Sequence, residues 1–211
     1  MDPLAIRHLK VLDGMRFSFR LLEHHYRGLY PSCALIPKDN AQVVPALASC
    51  WGFIDSLHRL RELTVAAPGL SGKRPEVKRF LAATALAEDC RHYIQHLRNE
   101  LGKSQPSPFP VWGSLSWVDH QDQALTHTVI IGTHLPEVQY SGAVFDTHER
   151  HWVSKVCLGV ENSSFNFDPI FEETKVFEQF VMPQLLAQHV GVLTVSQQFP
   201  IINTRMAFKN G

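Results

Sequence analysis

The segment KSQPSPFP (residues 103–110) divides this chain into two kinds of sequence. Pro106, Pro108 and Pro110 each fix φ and remove a backbone donor, so neither a helix nor a central strand continues through it. Upstream, apolar side chains recur every three or four residues, the spacing of one helical face. Leu12, Met15, Phe19, Leu22, Tyr26 and Leu29 predict a first helix from Pro3 to Tyr30, stopped by Pro31 and Pro37. Leu47, Cys50, Ile54 and Leu57 line a second helix, capped by Asp39 or Asn40 and ended by the Pro68-Gly69 and Ser71-Gly72 turns. Pro75 suits a first helical position, and a third helix runs from it to about Gly102. Its stripe is Val77, Phe80, Thr84, Ala87, Arg91, Ile94 and Leu101, with Arg91 as the polar interruption.

Downstream, the period falls to two. Val111–Val118, Leu125–Gly132, Val138–Phe145 and His151–Val160 are short runs rich in β-branched and aromatic residues, separated by turn-formers such as Asp119, Pro136 and Asp146. Strands that follow one another without intervening helices pair antiparallel. Asp168-Pro169 then opens a fourth helix to about His189, which Pro183 should bend. The tail, Val192 to Phe208, can supply one more strand. The expected fold is therefore α+β: a four-helix assembly with a small antiparallel sheet inserted between helices three and four. A single domain over residues 1–211 is expected, with a helical part at 1–103, strands at 111–160 and the returning helix at 168–189.

The chain of 211 residues is 45% hydrophobic and 19% charged, an ordinary globular composition. No apolar run is long enough to span a bilayer, and the opening MDPLAIRHLK shows no secretory signal, so a cytoplasmic protein without a membrane partner is expected. Cys33, Cys50, Cys90 and Cys157 are scattered through apolar stretches, which suits buried, reduced thiols. Net charge is zero, but unevenly spread: residues 1–103 carry 15 basic and 10 acidic residues, and the remainder 5 and 10. A basic helical layer can dock on an acidic layer, within one chain or between two. The overall neutrality argues against a surface built for nucleic acid.

Signatures for P-loop, Rossmann, α/β-hydrolase, zincin and zinc-ribbon chemistry are all missing. What remains is a polar stripe late in the third helix: Glu88, Arg91, His92, Gln95, His96 and Asn99. Glu88, His92 and His96 stand four residues apart, along one helical face, and a carboxylate with two imidazoles can ligate zinc, iron or nickel. Bundle metal sites draw ligands from at least two helices, so His24, His25 or His58 would have to complete such a set. The alternative is a solvated face with Glu–His pairing.

Arg91-His92-Tyr93-Ile94-Gln95-His96 also has an Arg-x4-His spacing, and here the chain resembles the HEPN family of small helical bundles, many of them metal-independent RNases. The resemblance implies Arg91 as the phosphate binder and His96 as the acid/base, with RNA as substrate. A guanidinium suits a phosphate, and an imidazole titrates near neutrality. Arg20 and His25 match the same spacing. A step of five residues turns about 140° around a helix, so Arg91 and His96 can converge only across a groove between two copies of the helix. That reading requires a homodimer.

Asp55, His58, Arg59 and Glu62 form a charged face on helix two, explained by i,i+4 pairing or by Asp55 and Arg59 sitting between helices to orient Arg91. Trp112, Trp117 and Trp152 either pack in the core or stack a ligand. The expectation is a non-enzymatic interaction or assembly module, a homodimer without cofactor. A metal-independent RNase and a metal-binding bundle are the alternatives.

Overall fold

A computed structural model of the chain describes residues 2–105, 107–133, 140, 142–161 and 163–187. Its architecture is α+β. Helices α1 (Pro3–Leu35) and α2 (Val43–Ala66) are joined by a 3-10 turn at Asn40–Gln42, which Asp39 caps. Then come α3 (Pro75–Ala83), α4 (Leu86–Gln95) and α5 (Leu97–Leu101). Strands β1 (Ser114–Val118), β2 (Thr126–Ile130), β5 (Val156–Val160) and β6 (Ser163–Asn166) form an antiparallel sheet in the order β2-β1-β5-β6. Strands β3 (Phe145–Asp146) and β4 (His151–Trp152) pair separately, and α6 (Phe167–Ala187) returns to the helices.

The stripes predicted for the first two helices supply the core, as does the first half of the third, Val77 to Ala87, whereas Leu101 at its far end is exposed. Leu12, Met15, Leu22, Cys50 and Leu57 are fully buried, and α1 packs along α2. Close approach of the two helices depends on Gly52, where a Cβ would stand 2.4 Å from the His25 ring. One face of the sheet (Leu115, Trp117, Val156, Leu158, Val160) packs on the bundle. The joint is aromatic: the Phe53 ring meets Phe165 and Phe167 edge-on, with centroids 6.2 and 5.4 Å away. Asp168 fastens the same joint. Tyr26 Oη and the Lys155 backbone N–H both donate to its carboxylate, at 3.0 and 2.9 Å. Gly113, at φ +85°, enters β1 where a Cβ would lie 2.2 Å from the Gly159 carbonyl oxygen, so no side chain is tolerated.

Several boundaries differ from the sequence reading: among them, the first expected strand begins at Ser114 rather than Val111, which leaves Trp112 before it. The first helix runs through Pro31 to Leu35. Its apolar register continues into Cys33, and burial there outweighs the proline's missing N–H. The expected third helix is three pieces. At Thr84 the backbone leaves helical geometry, and buried Arg61 donates to Leu81 O (2.5 Å), a carbonyl that the break leaves open, and to Thr84 Oγ1 (2.6 Å). The run His151–Val160 is divided by Val153–Lys155 into β4 and β5, and β6 follows where no strand was expected. Of the expected strand Val138–Phe145, positions 138, 139 and 141 lie outside the described residues, and of the others only Phe145 is strand, paired with Trp152 in the β3–β4 ladder. The tail Val192 to Phe208 and the expected helix end at His189 lie outside the described residues.

Part of the charge asymmetry is consumed inside the chain: Arg79 of α3 pairs with Glu173 of α6 at 2.8 Å, and Arg74 hydrogen-bonds Gln184. All four cysteines are free and buried. Among the described residues no helix is long and apolar enough to cross a membrane. The Arg61 contacts make a direct prediction. Arg61→Met keeps the apolar stem and deletes the donors, so it should lower unfolding stability by roughly 1–3 kcal/mol in urea titration. A variant as stable as the wild type would show that the break at Thr84 does not depend on this guanidinium.

Candidate functional site

Helices α2 and α4 lie side by side, and positions 55, 58 and 62 of α2 meet 91 and 88 of α4. This seam gathers much of the charge singled out in the sequence. Asp55 sits between two guanidiniums: Arg59 Nε donates to Oδ2 at 2.8 Å, and Arg91 Nε lies 3.0 Å from Oδ1. The latter is an ion pair without the alignment of a hydrogen bond. Asp55 thus bridges helices and orients Arg91, the interhelical account of that charged face.

Arg91 and His96 do not converge within one chain. Arg91 is half-buried against Asp55, whereas His96 is exposed at the α4–α5 junction and its ring packs on His92 with centroids 4.2 Å apart. The second Arg-x4-His match is also divided. Arg20 faces Glu23 at 3.3 Å, while His25 lies over Gly52, where burial and neighbouring His24 push its pKa down.

Glu88 belongs to the seam. Its Oε2 accepts from Arg61 Nη2 at 2.7 Å. Of the three residues read as a metal face, Glu88 is therefore engaged across the helices, while the rings of His92 and His96 meet at a tilt on the exposed side. Among the described residues, the set whose ligand atoms come together is His58, Glu62 and Glu88, all within 4.8 Å of one another. Glu62 was legible as part of a charged face, but its meeting with Glu88 is a tertiary contact that no local spacing encodes.

Beside the Asp55–Arg91 pair lies a cavity of about 180 Å³ lined by Trp51, Ile54, Asp55, Arg91, Ile94 and Trp112. Trp51 and Trp112, edge to face at 6.3 Å, also wall an apolar groove of about 450 Å³ with Val43, Val44, Leu47 and Ile131. Packing explains Trp117, which is fully buried. Trp112 is 51% exposed and Val44 66%. Trp152 is fixed by donating its indole N–H to Gln123 O at 2.8 Å.

A separate polar pair marks the β1–β2 turn. His127 Nε2 lies 2.7 Å from Asp119 Oδ2, and its ring stacks on Trp117 at 5.0 Å. The His127 contact, followed by the backbone N–H groups of Asp122 and Gln121, holds the Asp119 carboxyl down at about 2, below its ordinary 3.8. The ionised form is the one the folded turn favours. Its contribution is therefore complete above about pH 4 and is lost as acid takes pH down through about 2. Asp119→Asn should abolish that component of acid sensitivity, measured as the urea midpoint against pH. Parallel wild-type and variant curves would refute this assignment. Comparison with protein-family models, with curated proteins and with solved structures finds no match to this chain, so its site stands on its own geometry.

Proposed function

We propose that this chain is a non-enzymatic interaction or assembly module, a HEPN-like bundle that associates with a second copy of itself through the Trp51–Trp112 groove. The observation that carries this reading is the pairing of Arg91 with Asp55 at 3.0 Å. A guanidinium committed to a carboxylate is not free to hold a scissile phosphate, and His96 faces elsewhere. What the seam offers to the outside is instead the apolar groove beside it, whose lining Val43, Val44, Leu47, Ala48, Trp51, Trp112 and Ile131 carries no charge.

Contiguous exposed apolar surface of this kind marks contact sites, and tryptophan is among the residues that carry most binding energy at such contacts. A two-fold pair is the commonest assembly for a soluble chain, and it matches a surface to itself. A groove with an exposed indole on one wall satisfies that requirement: Trp112 of each copy can enter the groove of the other. The charge imbalance left after the Arg79–Glu173 pair adds complementarity between the helical part of one copy and the acidic second half of the other.

Val44 and Trp112 are exposed, so Val44→Asp and Trp112→Asp should leave the fold intact. Light scattering should report twice the chain mass for the wild type and a single chain for each variant. A wild type that stays monomeric at its highest soluble concentration would end the reading. Cleavage of single-stranded RNA in EDTA, abolished by both Arg91→Ala and His96→Ala, would establish the RNase alternative in its place.

A further inference from the structure

We propose that His58, Glu62 and Glu88 form a binding site for one divalent transition-metal ion of the zinc, cobalt or nickel class, bridging α2 and α4. His58 and Glu62 are one helical turn apart on α2, and Glu88 reaches them from α4. An imidazole nitrogen and two carboxylates are the donors that such ions prefer, and ligands from two facing helices are how bundles hold them. The three ligand atoms already lie within 4.8 Å of one another. Bonds of about 2.0–2.2 Å place neighbouring ligands roughly 3–3.5 Å apart. The remaining contraction falls to the Glu62 side chain, which is exposed and able to rotate, and to Glu88 turning about its contact with Arg61.

An orphaned polar atom points to a ligand independently of this spacing. His58 Nδ1 is buried and has no hydrogen-bond partner. A buried unpaired nitrogen is costly, and a cation that takes its lone pair removes the deficit. Charge points the same way. Two carboxylates share the cluster with the single guanidinium of Arg61, and among the described residues Glu62 has no ion-pair partner. Arg61 is a positioning residue: it holds Glu88 Oε2 at 2.7 Å and leaves the second carboxylate oxygen for the ion. Three protein ligands leave at least one coordination position to water or to an incoming donor.

His92 and His96 are the natural control, because two imidazoles one turn apart on an exposed helix can pick up metal by themselves. The full-length, tag-free chain, stripped with EDTA, is titrated with zinc alone by calorimetry and with cobalt(II) alone by visible absorption. One ion per chain is expected, together with a rise in melting temperature. Glu62→Gln, at an exposed position that should not disturb folding, and His58→Gln should each weaken binding about tenfold or more. The double variant His92→Ala/His96→Ala should bind as the wild type does. The proposal is overturned if the wild type takes up no ion, if Glu62→Gln binds with unchanged affinity, or if binding disappears with His92 and His96.

Discussion

The arrangement of the helices depends on one buried cation. Arg61 is 6% exposed between the helices, a placement that costs several kcal/mol unless its donors are met. Its two Nη groups are met by the C-terminal end of α3, where Leu81 O and Thr84 Oγ1 accept, and by Glu88 at the start of α4, while Nε makes no hydrogen bond. A positive charge at the carbonyl end of a helix is also favoured by the helix dipole. The guanidinium therefore both completes the end of α3 and fixes how α4 begins. That orientation sets Arg91 over Asp55 and Glu88 near His58.

The sequence shows its fold class plainly because both halves obey a simple period. Burial of Leu12, Met15, Phe19, Leu22 and Leu29 follows directly from their spacing, and so does the antiparallel order of strands with no helix between them. The misplaced boundaries share a cause. Pro31 breaks helices in water, yet Cys33 one turn beyond Leu29 is wholly buried, and tertiary packing sustains the helix through the proline. Thr84 lies in the run Ala82-Ala83-Thr84-Ala85, without glycine or proline, so nothing local announces a break. The break is made by a side chain 23 residues away.

The candidate site was legible to a smaller degree, for a geometric reason. Positions four residues apart on one helix can be read directly, which is how Glu88, His92 and His96 came together as a face and Asp55 and Arg59 as a pair. Which helix that face meets cannot be read from spacing. The fold sends Arg91 inward to Asp55 and leaves His92 and His96 outward, so one polar stripe serves two environments. The exposed Trp112 was equally hidden. Its neighbour Trp117, five residues on, sits in the central strand and is buried, whereas Trp112 precedes β1 and faces the groove.

The buried thiols have a consequence for how this molecule can be watched opening. Cys33 of α1 and Cys50 of α2 stand in the core that bundle and sheet share, Cys157 of β5 lies on the other face of that sheet, and Cys50 is within electrostatic reach of both. Burial pushes Cys33 up to about 12 and Cys157 to about 11, so reactive thiolate is scarce while the junction is closed. Cys90, held up to about 12 mainly by burial, reports instead on α4. The chain thus carries its own chemical clock: the order in which these sulfurs accept an alkylating reagent would record whether the sheet lifts from the helices before the α2–α4 seam parts.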